Sequence, residues 1–324
     1  MTVVRLLVVP YDSGHRGERQ GLGPANLIEH WRASPEEGSL PEAVWVESAS
    51  DFPTEVATTF ELMGRVADQV RSALDDNRFP LVVAGNCTTS AVGGAAGLRQ
   101  WDPAGEVGVV WFDTHGDFNT PETDPLGFLD GQGLAILTGR CWQGMTRQVP
   151  GFEPVSDRSV MLVGAHDLDP SERVALARSQ IAHITPSRIR SEGVELAVGA
   201  AVEALATRVT HVYFTSIWMS STPTTRGPTR MLLPVGSSLI NSSRRRVVSL
   251  TASRSLPLGS PRTIRRLTIT GCCGASPPSC STSCPRRPKA RDRSEAGVSG
   301  EWLSLAPDHP ASRRRTRAQS PAGT

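Results

Sequence analysis

Apolar residues in the first two thirds of the chain fall into short, near-continuous runs separated by stretches of helical spacing. The runs are "RLLVVPYD" (5–12), "PLVVAG" (80–85), "EVGVVWFD" (106–113), "SVMLVGAHD" (159–167) and "THVYF" (210–214). Each ends at glycine or a polar residue, as a strand buried on both faces does. Helical spacing is predicted over 23–33, where Pro24 stands near the N-terminus, and over 193–208. A long amphipathic helix is predicted over 54–76, with Val56, Phe60, Met63, Val66 and Val70 along one face. Alternating strands and helices of this kind predict a parallel sheet covered by helices on both sides. Ligands in such sheets bind beyond the carboxyl ends of the strands, so the polar residues that close each run carry the chemistry.

The pattern stops abruptly. "VYFTSIWMSSTP" (212–223) begins as a buried strand and loses all period after Phe214. The chain from there on is Ser, Arg and Pro in bulk, which buries too little apolar surface to offset chain entropy. The expected organisation is an α/β domain over 1–214 and a disordered Ser/Arg/Pro-rich segment over 215–324.

Charge divides at the same place. Residues 1–210 hold 28 acidic against 16 basic side chains, and residues 211–324 hold 4 against 18. A basic arm on an acidic domain admits phosphate contacts with nucleic acid, but this one has neither interleaved aromatics nor a fold signature, so nucleic acid is not the expected partner. Cys272, Cys273, Cys280 and Cys284 lack paired zinc spacing and a nearby histidine. Cys87 and Cys141 stand isolated, which suits a reducing compartment. With no signal-like leader and no apolar run near ~20 residues, the expectation is a soluble cytoplasmic protein without membrane contact.

Chemistry concentrates in "VVWFDTHGDFNTPE" (109–122), where a buried strand delivers Asp113, His115 and Asp117, then Asn119. Alternate residues leaving a strand point into one pocket, and two carboxylates with an imidazole suit a divalent ion such as Mn(II). The plain alternative is a polar strand-to-loop turn. Cys87, at an apparent helix start after "LVVAGN", reads equally as ligand, nucleophile or buried small thiol. Asp169 precedes Pro170 and reads as a cap or a substrate contact; Asp130 opens another helix and reads as a cap.

These segments, in this order, resemble the arginase–agmatinase–formiminoglutamase (ureohydrolase) family. The resemblance is carried by "GLGPANL", "AGNCTTS", "WFDTHGDFN", "DGQGLAIL" and "VGAHDLDPSE" and spans 5–214. It implies a three-layer α/β/α fold with a mainly parallel sheet (arginase–deacetylase-like), incomplete here at its C-terminal end. It implies two Mn(II) ions that activate a hydroxide to hydrolyse a C–N bond of a small guanidinium or amidine substrate, and a homo-oligomer, trimer or hexamer, in intact relatives. Carried over, Asp113, His115, Asp117 and Cys87 are metal ligands, Asp130 is catalytic, and Asn119 and Asp169 face substrate. Cys87 replaces a metal-binding histidine, Asp130 a proton-shuttling histidine and His166 an arginine. The zinc deacetylases share the fold, but their tandem histidine pair is missing from the seven histidines of this chain.

After the strand at 210–214 the family carries a second metal motif, [H/S]-x-D-x-D-x-x-D-P. Here 214–236 contains no Asp or Glu. Read two nucleotides out of register, the junction of the single codons for Trp218 and Met219 is forced to GAT, aspartate. Permitted codons allow His-Ile-Asp-Leu-Asp-Val-Leu-Asp-Pro across the segment. The expectation is a frameshift near Phe214 that leaves the chain inactive. The competing expectations are a non-catalytic family member serving as an oligomer partner, and a protein with a nucleic-acid-binding tail.

Overall fold

A computed structural model describes residues 3–33, 40–216 and the backbone of 247–248. The expected disordered segment, its four cysteines and the out-of-register motif therefore lie outside the described residues, apart from Thr215, Ser216 and that two-residue strand. All described residues fall in one compact unit, Met1–Ser276.

The strands are β1 (Val4–Val9), β2 (Tyr11–Asp12), β3 (His15–Arg16), β4 (Glu42–Trp45), β5 (Phe79–Ala84), β6 (Val107–Phe112), β7 (Val160–Val163), β8 (Ala182–Ile184), β9 (His211–Ser216) and β10 (Val247–Val248). The helices are α1 (Leu22–Ala33), α2 (Glu55–Asp75), α3 (Cys87–Trp101), α4 (Gly133–Leu137), α5 (Gln143–Thr146), α6 (Pro170–Arg178), α7 (Pro186–Glu192) and α8 (Val194–Ala206). The main strands form two all-parallel sheets, ordered β4-β1-β5 and β10-β9-β6-β7-β8.

The sheet is covered on both sides, giving the three-layer α/β/α arrangement. One face, through Leu7, Val9, Val82, Val109 and Trp111, joins Phe60, Met63, Val66 and Val70 of α2 and Ala91, Val92 and Leu98 of α3 in the main core. The other face is covered in two places. Leu6, Val8, Leu81 and Val83 pack on Ile28 of α1, and Val110, Met161, Val163 and Ile184 pack on Ala197, Val198 and Leu205 of α8. Strand β10 pairs with β9 and comes within 8 Å of β5.

Two strand ends differ from expectation. The run over 5–12 is not one strand: Pro10, which has no amide proton to donate, separates β1 from the small antiparallel pair β2-β3. The run over 159–167 stops at Val163, because Gly164 turns the chain with φ +95. The helix expected over 54–76 begins after Thr54, whose hydroxyl accepts from the Ala57 amide.

Candidate functional site

The carboxyl ends of β1, β5 and β6 meet closely. A Cβ on Gly85 would lie 2.2 Å from the Tyr11 carbonyl oxygen, so only glycine lets the loops after β1 and β5 approach this far. The next residue, Asn86, caps α3 by accepting from the Thr89 amide at 2.9 Å. That cap fixes Cys87 as the first residue of α3, buried and facing the end of β6.

Asp113 follows β6 directly. Its carboxylate accepts from the His115 amide at 3.0 Å and faces the Trp111 indole N–H at 3.4 Å. Asp117 is held in the left-handed region, φ +47, which non-glycine residues seldom adopt. Its carbonyl accepts from the amides of Leu134 and Ala135 at the start of α4, at 2.8 and 3.2 Å. The helix start thus holds the strained residue with its carboxylate turned inward.

The result is a buried group of Cys87, Asp113 and Asp117, whose donor atoms all lie within 4.8 Å of one another. The Cys87 thiol faces Asp117 Oδ2 at 3.2 Å and Asp130 Oδ1 at 3.3 Å. Asp130 does not cap its own helical turn, as the sequence suggests. Its carboxylate instead accepts from the amide and hydroxyl of Thr88, at 3.1 and 2.6 Å, in the first turn of α3. His115 stands apart: its side chain is 41% exposed, with Nδ1 3.4 Å from Asp113 and Nε2 3.9 Å from Asp167.

Electrostatics follow from crowding acids in a dry place. Burial, then the charges of Asp113 and Asp130, push Asp117 well above the usual carboxylate range. Burial pushes Asp130 up to about 6, with the Thr88 hydrogen bonds acting against it. Burial and then the charges of Asp117, Asp130 and Asp113 drive the Cys87 thiol well above its usual range. His115 is raised, chiefly by its hydrogen bond to Asp113.

Asn119 and Asp169 come together at 2.8 Å, Asn119 Nδ2 donating, and Ser171 and Thr123 donate to the Asn119 amide oxygen. Asp169 also caps α6 in a capping box with Glu172. Glu172 was given no role by sequence reasoning, yet its buried carboxylate accepts from the amides of Phe118 and Asp169, both at 2.9 Å. It ties the loop after β6 to the start of α6. The Asp-x-x-Glu spacing was the available signal. Thr88 had no such signal, because its partner is 42 residues away.

The donor set suits one divalent cation. A thiol and two mutually repelling carboxylates are buried together with no basic side chain among them, and a cation would relieve that repulsion. Strand β9 lies beside β6, with Ser216 opposite Phe112, and ends in Thr215 and Ser216. Both are buried, and among the described residues the Ser216 hydroxyl has no hydrogen-bond partner. Among the described residues, the Cys87, Asp113 and Asp117 group is the one such cluster.

Comparison with known proteins bears on the family and the fold. The Arginase family model matches residues 3–216. An arginase of Staphylococcus aureus (strain COL) is 31% identical over 140 residues, 43% of this chain and 45% of the relative. The chain thus spans less than half the length of that curated relative. An Entamoeba histolytica arginase is 26% identical over 210 residues, 61% of this chain and 69% of the relative. Among solved structures, Entamoeba histolytica arginase in complex with L-ornithine superposes with a TM-score of 0.63 at 20% identity, covering 77% of this chain and 90% of that one. Bacillus subtilis arginase gives 0.57 at 22% identity with the same coverage. At these identities the superpositions speak for the fold.

Proposed function

The chain belongs to the arginase family, and on that premise we propose that its scaffold is that of a metal-dependent hydrolase of C–N bonds in small linear guanidinium or amidine compounds, inactive in the form given by this sequence. The metal of such a scaffold, expected to be a pair of Mn(II) ions, supplies a water activated as hydroxide. The residues proposed for it are Cys87, Asp113, Asp117 and His115. Asp130 is proposed to handle protons beside them, and Asn119 and Asp169 to face substrate. Their mutual hydrogen bond means that substrate has to compete with it or bridge it. Homo-oligomerisation is proposed from family membership alone.

The observation that carries the inactivity is the contrast at adjacent strand ends. β6 is followed by Asp113, whereas β9 ends in Thr215 and Ser216, opposite Trp111 and Phe112, and residues 214–236 contain no acid. One carboxylate-bearing strand end cannot hold two like-charged ions together. A frameshift near Phe214 is proposed as the origin. In support, the pattern that specifies strands ends there, and the forced aspartate of the Trp218–Met219 junction falls in the missing motif.

Two experiments test the reading. Sequencing the gene around codon 214 tests the origin: a single-base insertion or deletion that restores the motif supports it, and a gene in which no such change restores it refutes it. Assaying urea or amide release from guanidinium compounds tests the activity: the purified chain releases none, and the frame-restored chain does.

A further inference from the structure

We infer that the centre formed by Cys87, Asp113 and Asp117 takes one borderline divalent cation of the zinc, cobalt or iron(II) kind in preference to manganese. The inference rests on the proposed metal centre and departs from it in the identity and number of the ions.

Three observations carry it. The first is the donor chemistry. A sulfur donor is one of the three that converge, and thiolates favour borderline and soft ions, whereas manganese favours oxygen-rich sites and stands lowest among these ions in general affinity. The second is placement. Cys87 is fixed as the first residue of α3 by the Asn86 cap, Asp113 by the His115 amide and Trp111, and Asp117 by the amides at the start of α4. The sulfur lies 3.2 Å from Asp117 Oδ2 in a buried place, so an ion bound to the two carboxylates has it as a neighbour. The third is enclosure. All three residues are at most 7% exposed, which leaves little room for the water ligands of a six-coordinate hard ion and favours a low coordination number. His115, beside Asp113 at 3.4 Å, is the nearest candidate for a further ligand. Cys87 binds as thiolate, and its proton leaves to solvent.

The test uses the full chain stripped of metal and titrated anaerobically with Co(II), Zn(II) and Mn(II), followed by absorption spectroscopy and metal analysis. Co(II) is expected to bind one per chain with a sulfur-to-cobalt charge-transfer band in the near ultraviolet, to be displaced by Zn(II), and to resist excess Mn(II). Cys87→Ser, close in volume, is expected to abolish that band and to weaken Zn(II) binding by about a hundredfold or more. Cys87→His is expected to narrow the gap between Zn(II) and Mn(II). Cobalt bound without the sulfur band, or Mn(II) bound as tightly as Zn(II) by the unaltered chain, overturns the inference and leaves a metal centre standing. If neither the unaltered chain nor Cys87→His binds any of the ions, the metal-centre reading falls with it.

Discussion

Strands β6 and β9 are neighbours, parallel and in register from Val107 opposite His211 to Phe112 opposite Ser216. Their backbones are equivalent, and both point the same end at the same place. β6 hands the chain to Asp113, His115 and Asp117; β9 ends in Thr215 and Ser216, opposite Trp111 and Phe112, within a stretch, 214–236, that contains no Asp or Glu. The difference teaches that fold and chemistry are written separately. Burial of Tyr213 and pairing with β6 suffice to dock β9, because the sheet asks only for apolar alternatives and free backbone groups. Metal binding asks for particular acids at particular positions, and nothing in packing replaces them.

The largest expected effect comes from giving β9 the ending it lacks. Replacing the chain after Phe214 by the out-of-register reading is expected to raise guanidinium or amidine hydrolysis at least about a thousandfold over the unaltered chain, measured by urea or amide release. If hydrolysis does not rise, the two strand ends are not complementary halves of one centre.

A second change tests whether β9 is truly docked. A Cβ on Gly94 in α3 would lie 1.9 Å from the Tyr213 ring. Gly94→Ala is expected to cost about 3 kcal/mol in chemical denaturation. Combined with Tyr213→Ala, the loss is expected to fall short of the sum of the two separate losses, since the clash vanishes with the ring. Additive losses would mean that β9 does not pack on α3.

The β6 end makes a prediction about pH. Burial raises Asp130 to about 6 and raises Asp117 as well, so the folded chain holds their protons more tightly than the unfolded chain does. That stability is complete below the ordinary carboxylate pKa of 3.8 and is lost as pH rises through the folded values. The metal-free protein is therefore expected to lose melting temperature between about pH 4 and 7, with Asp130 accounting for about 3 kcal/mol. Asp130→Asn is expected to flatten that share of the profile, and a bound divalent cation to remove most of the slope. A melting temperature that climbs over this range would show that the carboxylates are not crowded as described.

The smallest effect concerns the rim. Asp169→Ala removes the capping box of α6, with an expected cost of about 1 kcal/mol, and releases Asn119 from its partner. An unchanged midpoint in urea denaturation would mean that the cap is not formed in solution.

Strand positions were legible in the sequence because buried parallel strands are short apolar runs. The run 106–113 became Val107–Phe112 almost unchanged. Strand ends were less legible: Pro10 and Gly164 both cut runs that apolar content alone would extend. Asp113, Asp117 and Cys87 were legible as ligand types after strands, and the fold brings them together. The exposure of His115 was not legible, because the chain bends at Thr114 and His115 then bridges to Asp167, which breaks the alternation that would aim every second residue inward. Nor was the attachment of Asp130 to Thr88 or of Glu172 to Phe118. Those contacts join segments far apart in sequence and leave no periodic trace.

On the proposed reading the chain holds half of a two-ion centre, at the end of β6. Its most direct test is the stoichiometry of tightly bound divalent metal in the purified, monodisperse full chain, by equilibrium dialysis and elemental analysis with Mn(II) and Zn(II) offered together. The account predicts at most one ion per chain, with no hydrolysis of guanidinium compounds. Two manganese ions per chain accompanied by urea release would contradict it.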